Sequence, residues 1–441
     1  MEERNLKKEI SLFMATMLVC GNMIGSGVFM LPATLAQLSG PLATIIAWIV
    51  TSAGSILIAM SFANLGSKYP STGGAYQYTK IAFGEFTGFL SAWLYWNGSW
   101  IGNAAIIVAL SSYSAAVIPA LRNPLISIIY TSGILWFFTI INIIGVKKAG
   151  KLQTIATVFK IAFFAIFIIV ALINFDTANI IPLLPEGKGF STISLAATST
   201  LWAFVGLESA TVTAGEIKNP EKNVKKSTIY GMIIASVIYM LISIASMGAM
   251  PNSELANSQA PLTDILTKIL GSSIGKPITI AVVICILGTT IGWLLSTARV
   301  AFAAGEDGVF PKFFGKLHPK YGTPANALIV GSILVNILLI MNYQKSMVSA
   351  FTFITILATL SFLPIYLLTA AAEIMLMFKG AKEFNFGIFI KKAIIPLLAF
   401  IYSIWTIYGS GAETVMWGFI LMLIGVPFYI YNYHKNKVEI K

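Results

Sequence analysis

The chain has 441 residues, 57% of them hydrophobic and only 10% charged, with a formal net charge of +12. Soluble domains average about 25% charged residues, so this balance, with a mean hydropathy of +0.83, excludes an ordinary water-soluble fold. In a soluble protein so much positive charge would suggest nucleic acid. Here its placement along the chain argues for a membrane and against a nucleic-acid partner.

Twelve long apolar segments follow one another, at roughly 10–38, 41–66, 84–116, 124–146, 152–174, 192–216, 228–250, 275–303, 324–342, 347–378, 391–411 and 414–433. Each approaches or exceeds the ~20 residues that an α-helix needs to cross a bilayer. No polar stretch between them suffices for a soluble domain. The expectation is an all-α integral membrane protein of twelve transmembrane helices, one domain over residues 1–441. The polar start, Met1 to Glu9, leads into an apolar run too long for a cleaved signal peptide.

The first segment carries Gly21-Asn-Met-Ile-Gly-Ser-Gly27 at its centre. Three glycines and an asparagine loosen a helix where hydrocarbon cannot hydrogen-bond the freed backbone, so the irregular stretch must line a cavity or polar site. A half-helix opening at Ser26 and Gly27 would aim unpaired N–H groups and the positive end of its dipole at an anion such as a carboxylate. Further on, Lys160 falls inside the fifth segment, about 10 Å past Gln153 at 1.5 Å per residue, too deep for easy snorkelling. The sixth segment repeats the first anomaly in Trp202-Ala-Phe-Val-Gly-Leu-Glu208. A glutamate at a helix centre costs roughly 2.5–3.5 kcal/mol even on lenient insertion scales. Carbonyls released near Trp202 and Val205 would accept hydrogen bonds from an ammonium. Trp293 sits mid-way along the eighth segment, away from the interfacial belts where membrane tryptophans collect.

Breaks in segments one and six imply two five-helix repeats, at about 10–174 and 192–378, with helices 11 and 12 (391–433) outside them. An odd number of spans per repeat inverts the second against the first. With a cytoplasmic N-terminus, 23 of the 29 Lys and Arg fall in inner segments and five in outer ones, with Lys160 inside a helix. That bias places both termini in the cytoplasm of a multi-pass protein of the cell (inner) membrane. It reports topology and contact with anionic lipid. Cys20 and Cys285 lie within apolar spans and read as packed free thiols.

Several motifs together resemble the amino acid–polyamine–organocation superfamily, and most of all its arginine/agmatine antiporters. They are Gly21 to Pro32, Tyr69-Pro-Ser-Thr-Gly-Gly-Ala-Tyr76, Tyr95-Trp96 with Trp100-Ile-Gly-Asn103, Leu201 to Ala210, Lys218-Asn-Pro220, Ile291-Gly-Trp293 and Gly409 to Glu413. The resemblance implies the five-plus-five inverted-repeat fold with broken helices 1 and 6, often as a homodimer. It also implies sodium-independent exchange of a small amino acid or amine, with no cofactor and no metal. It assigns Ser26 and Gly27 to the substrate carboxylate, with Met23 and Ile24 lining the same break, and Trp202 to the inner wall of an occluded pocket. Trp293 would stack on a guanidinium or ammonium. Gly98, Ser99 and Asn103 would meet the side-chain end, Tyr95 and Glu208 would form a gating pair, and Lys160 would replace the sodium ion of sodium-coupled relatives.

Two positions depart from the arginine/agmatine pattern: Ile365, where an aromatic residue is usual, and Leu357, where a serine occurs. The leading expectation is exchange of a cationic amino acid such as arginine for its decarboxylated amine. The alternatives are a proton-coupled or exchanging transporter of neutral amino acids and an ornithine/putrescine exchanger. A channel or membrane enzyme fits poorly, because the two histidines, His318 and His434, lie in a loop and the tail and no nucleophile–base set is evident.

Overall fold

The computed structural model describes residues 6–439 apart from 259, 345–347 and 380–385. Of the positions named above, the first five residues and the side chain of Leu357 lie outside the described residues. The regular structure of the described chain is helical, and eleven spans are long and apolar enough to cross a membrane. The twelfth span is the first, whose α1 (Leu12–Met23) is too short alone and is completed by a 3-10 turn (Ser26–Phe29) and α2 (Leu31–Leu38).

Spans two to five are α3 (Pro41–Lys68), α5 (Glu85–Val117), α6 (Pro124–Ile144) and α7 (Val146–Ile173), with a short helix α4 (Ala75–Phe83) between the first two of these. Span six is broken like span one, into α8 (Ile193–Leu201), a 3-10 turn (Trp202–Phe204) and α9 (Ser209–Val212). Span seven is α10 (Pro220–Ala249), followed by the short helices α11 (Asn252–Asn257) and α12 (Pro261–Leu270). Then come α13 (Gly275–Glu306), α14 (Ala325–Tyr343), α15 (Val348–Phe378), α16 (Phe386–Gly409) and α17 (Ala412–Glu439).

The apolar segments mark the spans to within a few residues, with one systematic difference. Hydropathy registers the edge of the hydrocarbon, whereas a helix continues into water once its backbone is bonded. Thus α10 begins at Pro220, eight residues before the expected 228, because proline at its first position suits a helix start and Lys222, Lys225 and Lys226 extend the helix beyond the bilayer. The short helices α4, α11 and α12 were not marked by hydropathy at all.

The face carrying the N-terminus is here the near face and the opposite one the far face. Burial sorts the spans: the apolar window of α13 is 72% buried and that of α17 only 22%. Accordingly α13 runs through the centre, among α1, α5 and α7, while α17 turns its apolar residues outward to lipid. On the near face, Ile10 pairs with the chain after α9, donating to Glu216 O at 2.9 Å and accepting from Lys218 N at 2.9 Å. Beside this, Arg299 grips Glu216 through two hydrogen bonds of 2.8 and 2.9 Å, both side chains fully buried. Asp307, at the end of α13, ties down α4 by accepting from Tyr76 (2.6 Å), Lys80 (2.7 Å) and Gln77 (3.0 Å). Burial alone would raise this carboxyl, but the hydrogen bonds from Lys80 and Tyr76 hold it below its usual value.

Where the two broken spans cross, Gly206 has φ of +112° and a Cβ there would lie 3.0 Å from the backbone of Asn22 and Met23. Left-handed backbone costs other residues roughly 1–2 kcal/mol, and the clash adds to it. Gly206→Ala is therefore expected to lower the thermal unfolding midpoint of the purified protein and to reduce transport at least tenfold. Gly133→Ala, where the added Cβ meets nothing within 4 Å, is expected to leave both unchanged. Equal behaviour of the two variants would show that the crossing tolerates separation.

Candidate functional site

A helix that stops at mid-membrane leaves carbonyls at one end and N–H groups at the other, and each must find a partner. At the first break the carbonyls are accounted for one by one. Cys20 O takes Ile24 N at 2.9 Å, and Met23 O takes Gly25 N at 2.8 Å across a tight turn centred on Ile24. With φ −78° and ψ 72°, Ile24 has the shape of an inverse γ-turn. Asn22 O accepts from the indole N–H of Trp293 at 3.1 Å. Gly21 O and Ile24 O are both taken by Lys160 Nζ, at 3.2 and 2.5 Å.

Lys160 is fully buried and has a third partner, Thr289 Oγ1 on α13, at 2.6 Å. Three oxygens around one nitrogen match the three N–H bonds of an ammonium. Thr289 in turn donates to Ile24 O at 3.2 Å. Lys160 thus joins span five, the break in span one and span eight at a single point. It stands behind the break and does not line the cavity.

The second break is joined to the first. Asn22 Nδ2 donates to Ser209 Oγ at 2.8 Å and to Ser296 Oγ at 3.1 Å, linking α1, α9 and α13. Glu208 folds back on its own turn and accepts Gly206 N–H at 3.2 Å, while Tyr366 on α15 donates to the same oxygen at 2.9 Å. Tyr239 holds Ala203 O at 2.8 Å. Val205 is extended, with φ −65° and ψ 128°, and carries the chain across the gap.

Between the breaks lies a cavity with about 620 Å³ of atom-free space, its open mouth included. Met23, Ser26, Gly27, Gly98, Ser99, Val205 and Trp293 all border it. The N–H groups that open the 3-10 turn at Ser26 have no preceding turn to bond to, and no side chain caps them. Trp293 and Phe362 stand edge to face, ring centres 5.7 Å apart, with Tyr95 packed beyond them. Among the described residues lining the cavity, none is ionisable.

Two expectations are corrected. Ile24 is buried away from the cavity and contributes its carbonyl to Lys160, because the tight turn rotates its side chain into the core. Asn103 faces a separate small cavity with Trp100, Leu294 and Thr297, where α5 packs on α13 and α14. Trp202 is 38% exposed and borders the open cavity against Gly27. Tyr366 donates to the carboxylate of Glu208, and the Tyr95 hydroxyl lies beside the same carboxylate. Ile365 is also buried outside the cavity, and α15 presents the aromatic Phe362 there instead.

The cavity opens toward the far face, along Gly102, Ala105 and Ile106 of α5. Below it Tyr95, Glu208, Tyr366 and Ile217 are all closed off from solvent. Sequence reasoning missed Asn22, Thr289, Phe362 and Tyr366. Only Asn22 had a signal, as the one amide within the glycine-rich break.

Residues 10–436 match the amino acid permease family. The chain belongs to that family. Among its curated relatives, a putative arginine/ornithine antiporter of Bacillus subtilis is 32% identical, with 98% of each chain covered. The putrescine transporter PotE of Escherichia coli is 30% identical over 94% of each chain. An arginine/ornithine antiporter of Pseudomonas aeruginosa is 29% identical, covering 97% of this chain and 92% of its own. The resemblance read from the motifs is therefore confirmed, and the permease is a multi-pass membrane protein.

Because Lys160 touches the backbone of span one and not the cavity, its loss should act on movement more than on binding. In sodium-free buffer, Lys160→Ala is expected to slow transport at least tenfold with less than a threefold change in substrate affinity. Thr289→Val, which removes one of three partners, should give a milder slowing of the same kind. Parallel binding and flux measurements check this, and wild-type flux in Lys160→Ala would exclude the role.

Proposed function

We propose that this permease exchanges cationic amino acids without sodium, arginine for ornithine or for a decarboxylated amine, across the cell (inner) membrane. The near face is then the cytoplasmic one, in keeping with the basic residues of the near-face segments, and the cavity is in its outward-open state. The observation that carries the reading is the composition of the cavity wall. It offers free N–H groups at Ser26 and Gly27 for a carboxylate, the aromatic faces of Trp202, Trp293 and Phe362 for a cation, and no fixed charge among its described residues.

An aromatic face holds a desolvated cation by about 2 kcal/mol or more, roughly thirtyfold in affinity. A carboxylate in the same place would hold it more tightly and release it more slowly, which suits exchange less well. The Trp293 indole is fixed by its bond to Asn22 O, so its ring orientation is set by span one and changes if that span tilts. Lys160 supports the sodium-independent part of the reading, since it already occupies the carbonyl oxygens a cation would use. The names of the relatives point to the same substrate class. They also favour a second reading, ornithine/putrescine exchange, in which the diamine leaves the N–H groups of Ser26 and Gly27 unused.

Proteoliposomes loaded with arginine, ornithine, putrescine, agmatine, leucine or alanine should take up labelled arginine in sodium-free buffer only when a cation is inside. Uptake driven equally by internal leucine would overturn the cationic assignment. Trp293→Leu is expected to weaken arginine binding about tenfold or more, and Trp293→Phe, which keeps a ring, about threefold. Unchanged affinity in the leucine variant would remove the stacking role. Ser26→Lys fills the seat of the carboxylate with a long cation and should abolish arginine exchange in protein that still folds. If exchange persisted there, the substrate would have to bind elsewhere.

A further inference from the structure

A second concavity lies on the near face, away from the substrate cavity, with about 630 Å³ of atom-free space. Its wall draws on three separate parts of the chain: the N-terminal segment with Lys7 and Glu9, the α6–α7 connection with Lys147 and Lys148, and the loop carrying Lys320. All four lysines are exposed, and none forms an ion pair among the described residues. Of the two acids in the wall, Glu216 is neutralised by Arg299, leaving Glu9 against four ammonium groups. Lys147 and Lys148 also stand in the first turn of α7, which holds no acidic residue. The positive end of the helix dipole repels cations there, so an anion bridging the lysines would relieve that strain.

The loop is built to present its part. His318 Nδ1 accepts from Lys320 N at 3.1 Å, and Gly322 N bonds to His318 O at 2.9 Å, which closes a tight turn. A Cβ on Gly322 would come within 3.9 Å of Lys7 Cε, so the Lys7 stem lies across this turn.

The cleft adjoins lipid. On α6, Ile140 is 53% exposed and sits four residues before Ile144 of the cleft wall, about 6 Å along the axis. On α7, Ile155 is 67% exposed, seven residues beyond Lys148, about 10 Å. Apolar chains lying on these helices would bring a headgroup to the level of the lysines.

We propose that this cleft binds the phosphate headgroup of an anionic phospholipid of the near-face leaflet, with its acyl chains along α6 and α7. The lysines hold the phosphate jointly, so the lipid bridges the N-terminal segment, the α6–α7 connection and the 318–323 loop. The N-terminal segment is also the one whose Ile10 pairs with Glu216 and Lys218. An occupied cleft therefore stabilises the closed near face, independently of the substrate.

The test is native mass spectrometry of the purified full chain in mixed micelles of phosphatidylglycerol and phosphatidylcholine, with thermal unfolding in each lipid. Wild type is expected to retain phosphatidylglycerol at least tenfold over phosphatidylcholine and to unfold at higher temperature in its presence. Lys147→Gln with Lys320→Gln should lose most of that preference. Lys222→Gln with Lys226→Gln, which removes the same charge from the exposed near-face end of α10, should keep it. No preference in wild type, or equal loss in the two double variants, would overturn the site in favour of diffuse surface attraction. Equal stabilisation by inorganic phosphate without the lipid would overturn the lipid assignment and make the cleft a soluble-anion site.

Discussion

Interrupting a helix in the middle of a bilayer releases backbone groups that hydrocarbon cannot solvate, and the centre of this protein is organised around satisfying them. The Lys160 ammonium takes two carbonyls of the first break and reaches Thr289 on α13. Trp293 takes a third carbonyl, and a one-residue turn closes a fourth. What is left over is the other polarity, the N–H groups at Ser26 and Gly27, and these face the cavity. The site is thus the residue of an almost complete hydrogen-bond account, with donors kept free on one side because the acceptors were satisfied on the other.

The same economy fits the proposal that the wall recognises a charged ligand without carrying charge itself. A fixed carboxylate would need its own partner when the cavity emptied, since an unpaired buried charge is costly. Aromatic faces and helix-end amides need none. Glu208, the acid closest to the break, is turned away from the cavity and accepts from Gly206 and Tyr366. Its visible work is to hold α9 and α15 to the turn, which places it where a change in the second break would be felt by the near-face half of the bundle.

Closure on the near face is a separate construction from separate residues. The Ile10 pairing, the buried Arg299–Glu216 contact and the Asp307 clamp on α4 all lie below the cavity. Breaking one partner of a buried pair is costly, typically several kcal/mol, so Arg299 and Glu216 are expected to move together when the near face opens. Because Glu216 also borders the lysine-lined cleft, the state of the near face is readable from the lipid side of the protein as well as from the cavity.

The sequence by itself determined the membrane class, the twelve spans and the location of both breaks, because hydropathy and the three glycines around Asn22 are local properties of the chain. It also marked Lys160, since an ammonium about 10 Å into an apolar run has few local partners to hide among. Tertiary structure alone decided which side chains meet. Asn103 lies on the same helix as Gly98 and Ser99 yet faces another cavity, and only the rotation of α5 against α13 and α14 settles that. Phe362, with no polar atom and no unusual spacing, could not be told from any other apolar residue of α15. The tight turn at Ile24 sent that side chain inward and its carbonyl to Lys160, while Gly206 fixed how closely the second break could approach. Periodicity reports which residues are buried in something; which partner they are buried against depends on contacts hundreds of residues apart, and those exist only once the spans have packed.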